Sequence, residues 1–279
     1  MILFNKDNIV IARYILIVVC NAIFFNYAFA NELIIIGASA VPHAEILQQI
    51  KPQLKAQGID LQIKEFNDYV QPNLLTEQKQ LDANFFQHRP YLAQFNKEHG
   101  TNLVELTSVQ LEPIGVYASN NPKLNNFIIA KSAAQLPRGM IVGIPNDTTN
   151  EGRALLLLQA NGIIKIDSSA KYPTKKNIKS NPYDIVIKEL EPAMLPRVLK
   201  GGQIDLAVIN SNYALLANIN PLKDAVFIES ADSPYVNIVV VRPDELGMPK
   251  MKALITALHS ILVRNFIDKT YKGAVIPAF

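Results

Sequence analysis

The 279-residue chain has no tryptophan, one cysteine and four histidines. A single cysteine excludes a disulfide framework. The histidines show no metal-ligand spacing and no neighbouring cysteine: His43, His88, His99 and His259. The closely spaced glycines of a phosphate-binding loop and the serine of a nucleophile elbow are also missing from the sequence. We therefore expect no metal, no cofactor and no catalytic residues.

The composition is that of a globular protein. Hydrophobic residues make up 49% of the chain, charged residues 18%, and the formal net charge is +3. A chain of this length can form one large domain or two lobes. Basic residues do not form a stripe interleaved with aromatic residues, and the charge is close to balanced, so nucleic acid is not an expected partner.

The N-terminal segment has the features of a secretory signal. Two basic residues, Lys6 and Arg13, precede an apolar run over residues 14–25, and Ala28-Phe29-Ala30 follows with the small residues that a signal peptidase needs. We predict a signal peptide over residues 1–30, cleaved after Ala30, and a location in the periplasm. Residues 14–30 are barely long enough for a membrane-spanning helix.

Cys20 lies inside this apolar run. Cleavage after Ala30 leaves a mature protein without cysteine and therefore without thiol chemistry. The alternative is that Cys20 is lipidated and tethers the protein to a membrane. Residues 17–19 lack the small residue that usually precedes such a cysteine, so this alternative is the weaker one.

After the signal, strand-type and helix-type segments alternate along the chain, which predicts an α/β protein with parallel sheets and helices on both faces of them. No flexible linker separates the two halves, so we expect the chain to cross between two lobes near residues 112–115 and again near residues 229–234. The predicted lobes are residues 31–113 plus 230–279, and residues 114–229. Ligands of such folds bind where strand carboxyl ends face the cleft.

Two helices are predicted from their boundary residues. Pro42 is expected to open one that reaches Gly58, with apolar residues at helical spacing. The other is a long amphipathic helix over residues 249–264 near the C-terminus.

A candidate anion site follows the short apolar strand at residues 140–144. Thr148 and Glu151 form the pattern of a capping box, which predicts the start of a helix. Arg153 lies near that start, where free amides and the helix dipole attract anions. Arginine beside such amides indicates a site for a small carboxylate or phosphate. The alternative is that Arg153 pairs with Asp147 or Glu151 at the surface.

Other strand ends carry polar and aromatic side chains. Asn210 follows a predicted strand, and Asn237 lies inside the apolar run at residues 235–241, where its amide needs a hydrogen-bonding partner such as a ligand. Either asparagine could instead bond neighbouring backbone. Four aromatic residues could form a pocket for an apolar or sulfur-bearing side chain or could belong to the core: Tyr69, Phe86, His88 and Tyr91.

His43 and Glu45 are a possible acid and base pair. Two residues apart at a helix start, they face in different directions, so we consider this pair improbable.

Ordered motifs from Leu33 to the C-terminus resemble the NlpA-type lipoproteins, the substrate-binding proteins of methionine ABC importers. The matching segments are residues 42–47, 67–73, 82–88, 90–92, 145–147, 149–155, 207–210, 212–214 and 233–237. In two respects the chain departs from the family. Its first loop, residues 37–42, has one proline where relatives more often have two, and the context of Cys20 is poor for lipidation.

The resemblance implies a two-lobed periplasmic-binding-protein fold of type 2, with a mixed, mostly parallel sheet in each lobe. The protein would bind L-methionine and deliver it to a permease driven by an ATPase, as a monomer. Arg153 would hold the ligand carboxylate, Asn210 and Asn237 its polar backbone groups, and the four aromatic residues its side chain. Three alternatives remain: a methionine-containing dipeptide, another apolar amino acid, or a secreted enzyme such as a dehydratase, for which we find no general acid.

Overall fold

The structure is a computed structural model that describes residues 32–167 and 169–279. The predicted signal peptide, its cleavage site and Cys20 lie outside these residues. Residues Leu33–Phe279 form one compact unit. Within the described part of the chain, no helix has the length and apolar character to cross a membrane.

The first sheet has six strands in the order β13-β4-β12-β3-β1-β2. Its strands are β1 (Glu32–Ser39), β2 (Ile59–Phe66), β3 (Ala83–His88), β4 (Val104–Leu111), β12 (Val236–Val241) and β13 (Ile276–Pro277). The second sheet has five strands in the order β11-β5-β10-β6-β9. These are β5 (Gly115–Ala118), β6 (Ile141–Pro145), β9 (Val186–Leu190), β10 (Leu206–Ile209) and β11 (Phe227–Ile228), while β7 (Lys165–Ile166) and β8 (Ile178–Ser180) form a separate ribbon.

Both sheets are mixed, as the resemblance implies, and each contains antiparallel pairs, so the parallel sheets predicted from the alternation are wrong. In the first, β1 is parallel to β3, whereas β12 is antiparallel to both β3 and β4. In the second, β6 is parallel to β9 and β10, whereas β5 is antiparallel to β10 and β11. The chain enters the second sheet with β5, after β4, and returns to the first sheet with β12, after β11. β12 pairs with β4, and β11 pairs with β5. The two crossings between the sheets therefore lie side by side.

The α-helices are α1 (Glu45–Lys55), α2 (Gln71–Glu77), α3 (Arg89–His99), α4 (Asn125–Ala130), α5 (Thr148–Ala160), α6 (Leu195–Lys200), α7 (Ser211–Leu216), α8 (Pro221–Asp224), α9 (Pro249–Leu258) and α10 (Ile261–Tyr271). The single helix predicted over residues 249–264 is wrong, because α9 ends at Leu258 and α10 begins at Ile261. Ser260 is extended and its hydroxyl accepts a hydrogen bond from the Val263 amide, so it caps a new helix.

Helix α1 begins three residues later than predicted. Pro42 belongs to a π-helical turn, Ala40–Ala44, in which Val41 is extended with φ −127° and ψ 135°. A residue that precedes proline avoids the α region, so the regular helix starts only at Glu45. The turn places His43 in the interior.

Each sheet has its own apolar core, and a third cluster lies between the sheets. The first core includes Ile36, Phe85 and Val239, and the second includes Val142 and Leu155. The third cluster joins aromatic residues near the first sheet to residues of the second: Tyr69, Phe86, Tyr91, Tyr117, Ile209 and Tyr213. One aromatic cluster therefore connects the two sheets, and three of its residues, Tyr69, Phe86 and Tyr91, line a pocket.

Candidate functional site

A small pocket lies between the two sheets. All seven residues predicted to bind a ligand line it: Tyr69, Phe86, His88, Tyr91, Arg153, Asn210 and Asn237. They come from strand ends and helix starts of both sheets. Asn237, for example, lies directly opposite His88 in the antiparallel pairing of β12 with β3.

The start of α5 differs from the predicted capping box. Asp147, not Thr148, is the N-cap, and its carboxylate accepts hydrogen bonds from the Asn150 amide and from Asn150 Nδ2, each at 3.0 Å. Glu151 instead accepts a hydrogen bond from the Lys175 amide at 2.8 Å. An aspartate at the N-cap satisfies the free amides of the first turn and leaves Glu151 to hold the loop at Lys175.

Arg153 is held by residues distant in sequence. Its guanidinium forms a two-point ion pair with Glu229, donates from Nη2 to the Glu112 carbonyl at 2.8 Å and stacks 4.3 Å from the centre of the Tyr235 ring. The alternative of pairing with Asp147 or Glu151 is therefore wrong. Within the described residues Nη1 has no hydrogen-bond partner, so one edge of the guanidinium stays available to a ligand.

Asn150 orients Asn210. Because Nδ2 of Asn150 donates to Asp147, its Oδ1 is an acceptor, and it accepts from Asn210 Nδ2 at 2.9 Å and from His88 Nε2 at 3.2 Å. With Nδ2 used in this way, Asn210 presents Oδ1 elsewhere, and this buried oxygen has no partner among the described residues. A buried acceptor in this position needs a donor from a ligand or water.

His88 is neutral, and its tautomer is set by its neighbours. Nδ1 accepts the Tyr91 amide at 3.1 Å as the N-cap of α3, so the proton is on Nε2, which donates to Asn150. Burial, followed by the nearby Arg153, lowers the pKa of His88 from 6.5 to about 3. His88 therefore adds no charge to the pocket at neutral pH.

This shift predicts a specific acid sensitivity. Between pH 6.5 and about 3 the unfolded chain binds a proton at His88 that the folded protein does not bind. Stability from this group is thus complete above pH 6.5 and falls by about 1.4 kcal/mol per pH unit below it. We expect His88→Asn, which keeps an N-cap acceptor, to flatten the fall in unfolding free energy between pH 6 and 4.

Urea unfolding over this pH range measures the slope. The matched control is His99→Asn on the exposed end of the same helix, and it should leave the slope as in the wild type. An equal slope in the His88 and His99 variants would contradict the assignment of a neutral buried His88.

The other side of the pocket is aromatic. Ring centres of Tyr69 and Phe86 lie 5.7 Å apart, and Tyr91 stands edge-on to both at 5.9 Å. Tyr69 donates to Asn212 Oδ1 at 2.6 Å and Tyr91 donates to the Tyr69 carbonyl at 2.9 Å. The hydroxyls are thus satisfied by protein, and the ring faces remain to contact an apolar ligand group.

Five further residues line the pocket that were not among the seven predicted to bind a ligand: Gln87, Glu112, Asn150, Ser211 and Asn212. Glu112 follows β4, directly before Pro113, where a polar residue at a strand end was the available signal. Burial raises the pKa of Glu112, and the neighbouring His43 and Gln110 partly offset this rise. Asn150 and Asn212 belong to segments that carried the resemblance.

The suggested pair of His43 and Glu45 does not exist. His43 Nε2 lies 3.0 Å from Asn237 Oδ1 and 3.2 Å from Glu112 Oε1, whereas the Glu45 carboxylate accepts a hydrogen bond from Tyr271. The two side chains face opposite ways from the turn. In the described residues, no group of three or more His, Cys, Asp or Glu side chains could hold a metal ion.

The fold and the pocket together define a substrate-binding protein of the periplasmic-binding-protein type, an α/β fold with one mixed β-sheet on either side of the site. Residues 34–279 match the model of the NlpA lipoprotein family, and the chain belongs to this family.

Relatives with assigned ligands are similar over nearly their whole length. The methionine-binding lipoprotein MetQ of Bacillus subtilis is 38% identical over 248 residues, which are 88% of this chain and 87% of the relative. The D-methionine-binding lipoprotein MetQ of Escherichia coli K12 is 38% identical over 244 residues, 87% and 86% of the two chains. A nutrient-binding protein from Burkholderia cenocepacia, solved bound to methionine, is 41% identical with a TM-score of 0.81, covering 88% of this chain and all of its own.

Proposed function

We propose that this protein captures methionine, preferentially the L-form, outside the cytoplasm and delivers it to an ABC importer. The observation that carries the proposal is the pocket itself, which is lined both by an arginine with one available edge and by a set of aromatic rings. A zwitterionic amino acid with a thioether side chain matches both. The methionine-binding relatives support the same ligand.

Each ligand group has a proposed partner. Arg153 holds the α-carboxylate through its free edge, and Asn210 and Asn237 bind the polar groups around the α-carbon. Tyr69, Phe86, His88 and Tyr91 surround the side chain, because a thioether sulfur near an aromatic ring contributes up to about 1.5 kcal/mol per contact. Backbone recognition and side-chain recognition are thus separated in space.

The proposed partners are a membrane permease and its cytoplasmic ATPase, with this protein acting as a monomer in the periplasm. It reaches the membrane only through the permease or through a lipid on Cys20. The proposed lobes are residues 31–113 with 230–279 and residues 114–229. In support, the strands of the first sheet fall within the first set and those of the second within the other.

Calorimetric titration tests the ligand. The mature protein is unfolded and refolded to remove any copurified ligand, and then titrated with L-methionine, D-methionine, glycyl-methionine and leucine. We expect L-methionine to bind most tightly, since its carboxylate and its thioether side chain match the arginine and the aromatic rings that line the pocket. Thermal unfolding of the same sample serves as the folding control.

Absence of heat across this panel, from protein shown to be folded, would overturn the proposal. Tightest binding of glycyl-methionine or leucine would replace methionine by the corresponding alternative. A secreted enzyme is the alternative from another class, and we expect no turnover of any bound compound when the mixture is analysed by mass spectrometry after incubation.

A further inference from the structure

His43 lies behind two residues that line the pocket, Asn237 and Glu112, and has no part in the function proposed above. It is 1% exposed, and its ring stands edge-on to Phe85 with 4.6 Å between ring centres. One nitrogen, Nε2, is within hydrogen-bonding distance of two pocket-lining residues, Asn237 and Glu112. The other, Nδ1, is buried and has no partner among the described residues.

The surroundings of His43 determine which nitrogen carries the proton. Glu112 Oε1, 3.2 Å from Nε2, also accepts a hydrogen bond from Gln110 Nε2 at 3.1 Å, so it acts as an acceptor. If Nε2 carried no proton, its lone pair would face a lone pair of Glu112 Oε1, which is unfavourable. The proton is therefore on Nε2. Nδ1 is buried with no acceptor near it among the described residues, so a second proton there would be unsatisfied, and Nδ1 is the unprotonated nitrogen.

This proton determines how Asn237 is oriented. An N–H on Nε2 must face the amide oxygen, so Oδ1 of Asn237 points to His43 at 3.0 Å and its Nδ2 remains for the pocket. The amide of Asn210 has the opposite orientation, because its Nδ2 donates to Asn150 and its Oδ1 is left to accept a hydrogen bond from a ligand. One asparagine is left as a donor and the other as an acceptor.

We propose that His43 is a positioning residue which, by fixing Asn237 as a donor, gives the pocket a polarity that selects amino acids with both a free carboxylate and a free ammonium group. Asn237 then joins Arg153 at the carboxylate, and Asn210 Oδ1 accepts from the ammonium. The ligand class rests on the proposed function, whereas the role of His43 is a property of the protein alone. N-blocked methionine loses the ammonium that Asn210 Oδ1 needs.

Two variants and three ligands test this inference by calorimetry. His43→Leu removes the donor, whereas His43→Gln keeps an N–H near the position of Nε2. We expect His43→Leu to bind L-methionine about 10- to 100-fold more weakly, the cost of one charge-assisted hydrogen bond, with His43→Gln within about threefold of the wild type. L-methioninol, which has no carboxylate, should lose less than about threefold in either variant. The wild type should bind N-acetyl-L-methionine at least about 10-fold more weakly than L-methionine.

An equal loss for L-methionine and L-methioninol in His43→Leu would overturn the inference, because a general loss of packing affects both ligands alike. The inference would also be overturned if His43→Gln unfolded at the wild-type temperature but bound L-methionine as weakly as His43→Leu.

Nitrogen-15 NMR of the imidazole tests the same point without any ligand. We expect the spectrum of His43 to show protonated Nε2 and bare Nδ1, and the opposite tautomer would contradict the argument. If the wild type bound no ligand of the panel, the proposed function would fail, while the tautomer and the orientation of the Asn237 amide would still decide the role of His43.

Discussion

Replacing Arg153 with alanine is expected to weaken L-methionine binding by about 2 to 5 kcal/mol, which is about 30-fold to several thousand-fold in Kd. The guanidinium is only 3% exposed, so its interaction with a ligand carboxylate is weakly screened by water. Its geometry is already set by Glu229, the Glu112 carbonyl and Tyr235, so little side-chain freedom is lost on binding. Calorimetric titration at 15 °C measures the change.

The substitution also leaves Glu229 without its partner. Because that carboxylate is only 15% exposed, we expect some loss of stability, and thermal unfolding must show that the variant is folded at the temperature of the titration. Arg153→Lys keeps the charge but loses the two-point geometry, and it should fall between the wild type and the alanine variant.

Arg138→Ala is the matched control. Arg138 also pairs with a carboxylate, Asp184, but the arginine is 69% exposed and is not among the residues that line the pocket. We expect its Kd to equal that of the wild type. Unchanged affinity in the Arg153→Ala variant would contradict the assignment of the carboxylate site.

Replacing Arg242 with alanine is expected to destabilise the fold by about 3 to 5 kcal/mol. The substitution removes the nearest partner of the buried Glu245 carboxylate, which keeps only the more distant Lys250 at 3.6 Å, and it removes the donor to two backbone carbonyls. Arg242 Nη2 donates to Glu245 Oε1 at 2.6 Å, and Nη1 donates to the carbonyls of Thr76 and Leu81 at 2.7 and 2.6 Å. The arginine therefore ties the segment after β12 to the end of α2. Urea unfolding followed by circular dichroism measures the loss.

Lys79→Ala is the control for this second prediction. Its ion pair with Asp244 spans 3.9 Å between exposed groups, so removal should cost less than about 1 kcal/mol. The double variant Arg242→Met/Glu245→Leu removes both charges and should be more stable than Arg242→Ala. Equal unfolding free energies for Arg242→Ala and Lys79→Ala would show that the buried pair contributes no more than a surface pair.

The Arg242 network also reaches towards the pocket. Thr76, whose carbonyl Arg242 contacts, accepts from Asn84 through its hydroxyl at 2.9 Å, and Gln87 donates to Asn84 at 2.8 Å. Gln87 lines the pocket. Arg242 is thus connected to the lining residue Gln87 through Thr76 and Asn84. We therefore expect Arg242→Ala also to weaken methionine binding at temperatures where the variant remains folded.

Local patterns predicted much of the fold and the candidate site. The alternation of strands and helices was enough to expect an α/β fold, although it suggested parallel sheets where the structure has mixed ones. A polar residue after a strand pointed to Asn210, and the predicted helix start pointed to Arg153. These inferences succeed because side-chain periodicity and the residues that begin or end an element, such as glycine, proline and cap residues, act over a few positions. Ser260 shows where they fail: the apolar spacing continues through it, but its hydroxyl caps a new helix and divides the predicted one.

By itself, the sequence determined most of the elements, the family of the protein and seven of the residues that line the pocket, since these follow from local patterns and ordered motifs. Only the tertiary structure decided the partners of these residues. Glu229 reaches Arg153 across 76 positions, and Asn237 reaches His43 across 194. Pairing of this kind depends on how the two crossings between the sheets bring distant segments together, and no local spacing encodes it. The direction of each buried amide, and with it the polarity of the pocket, follows from those long-range contacts.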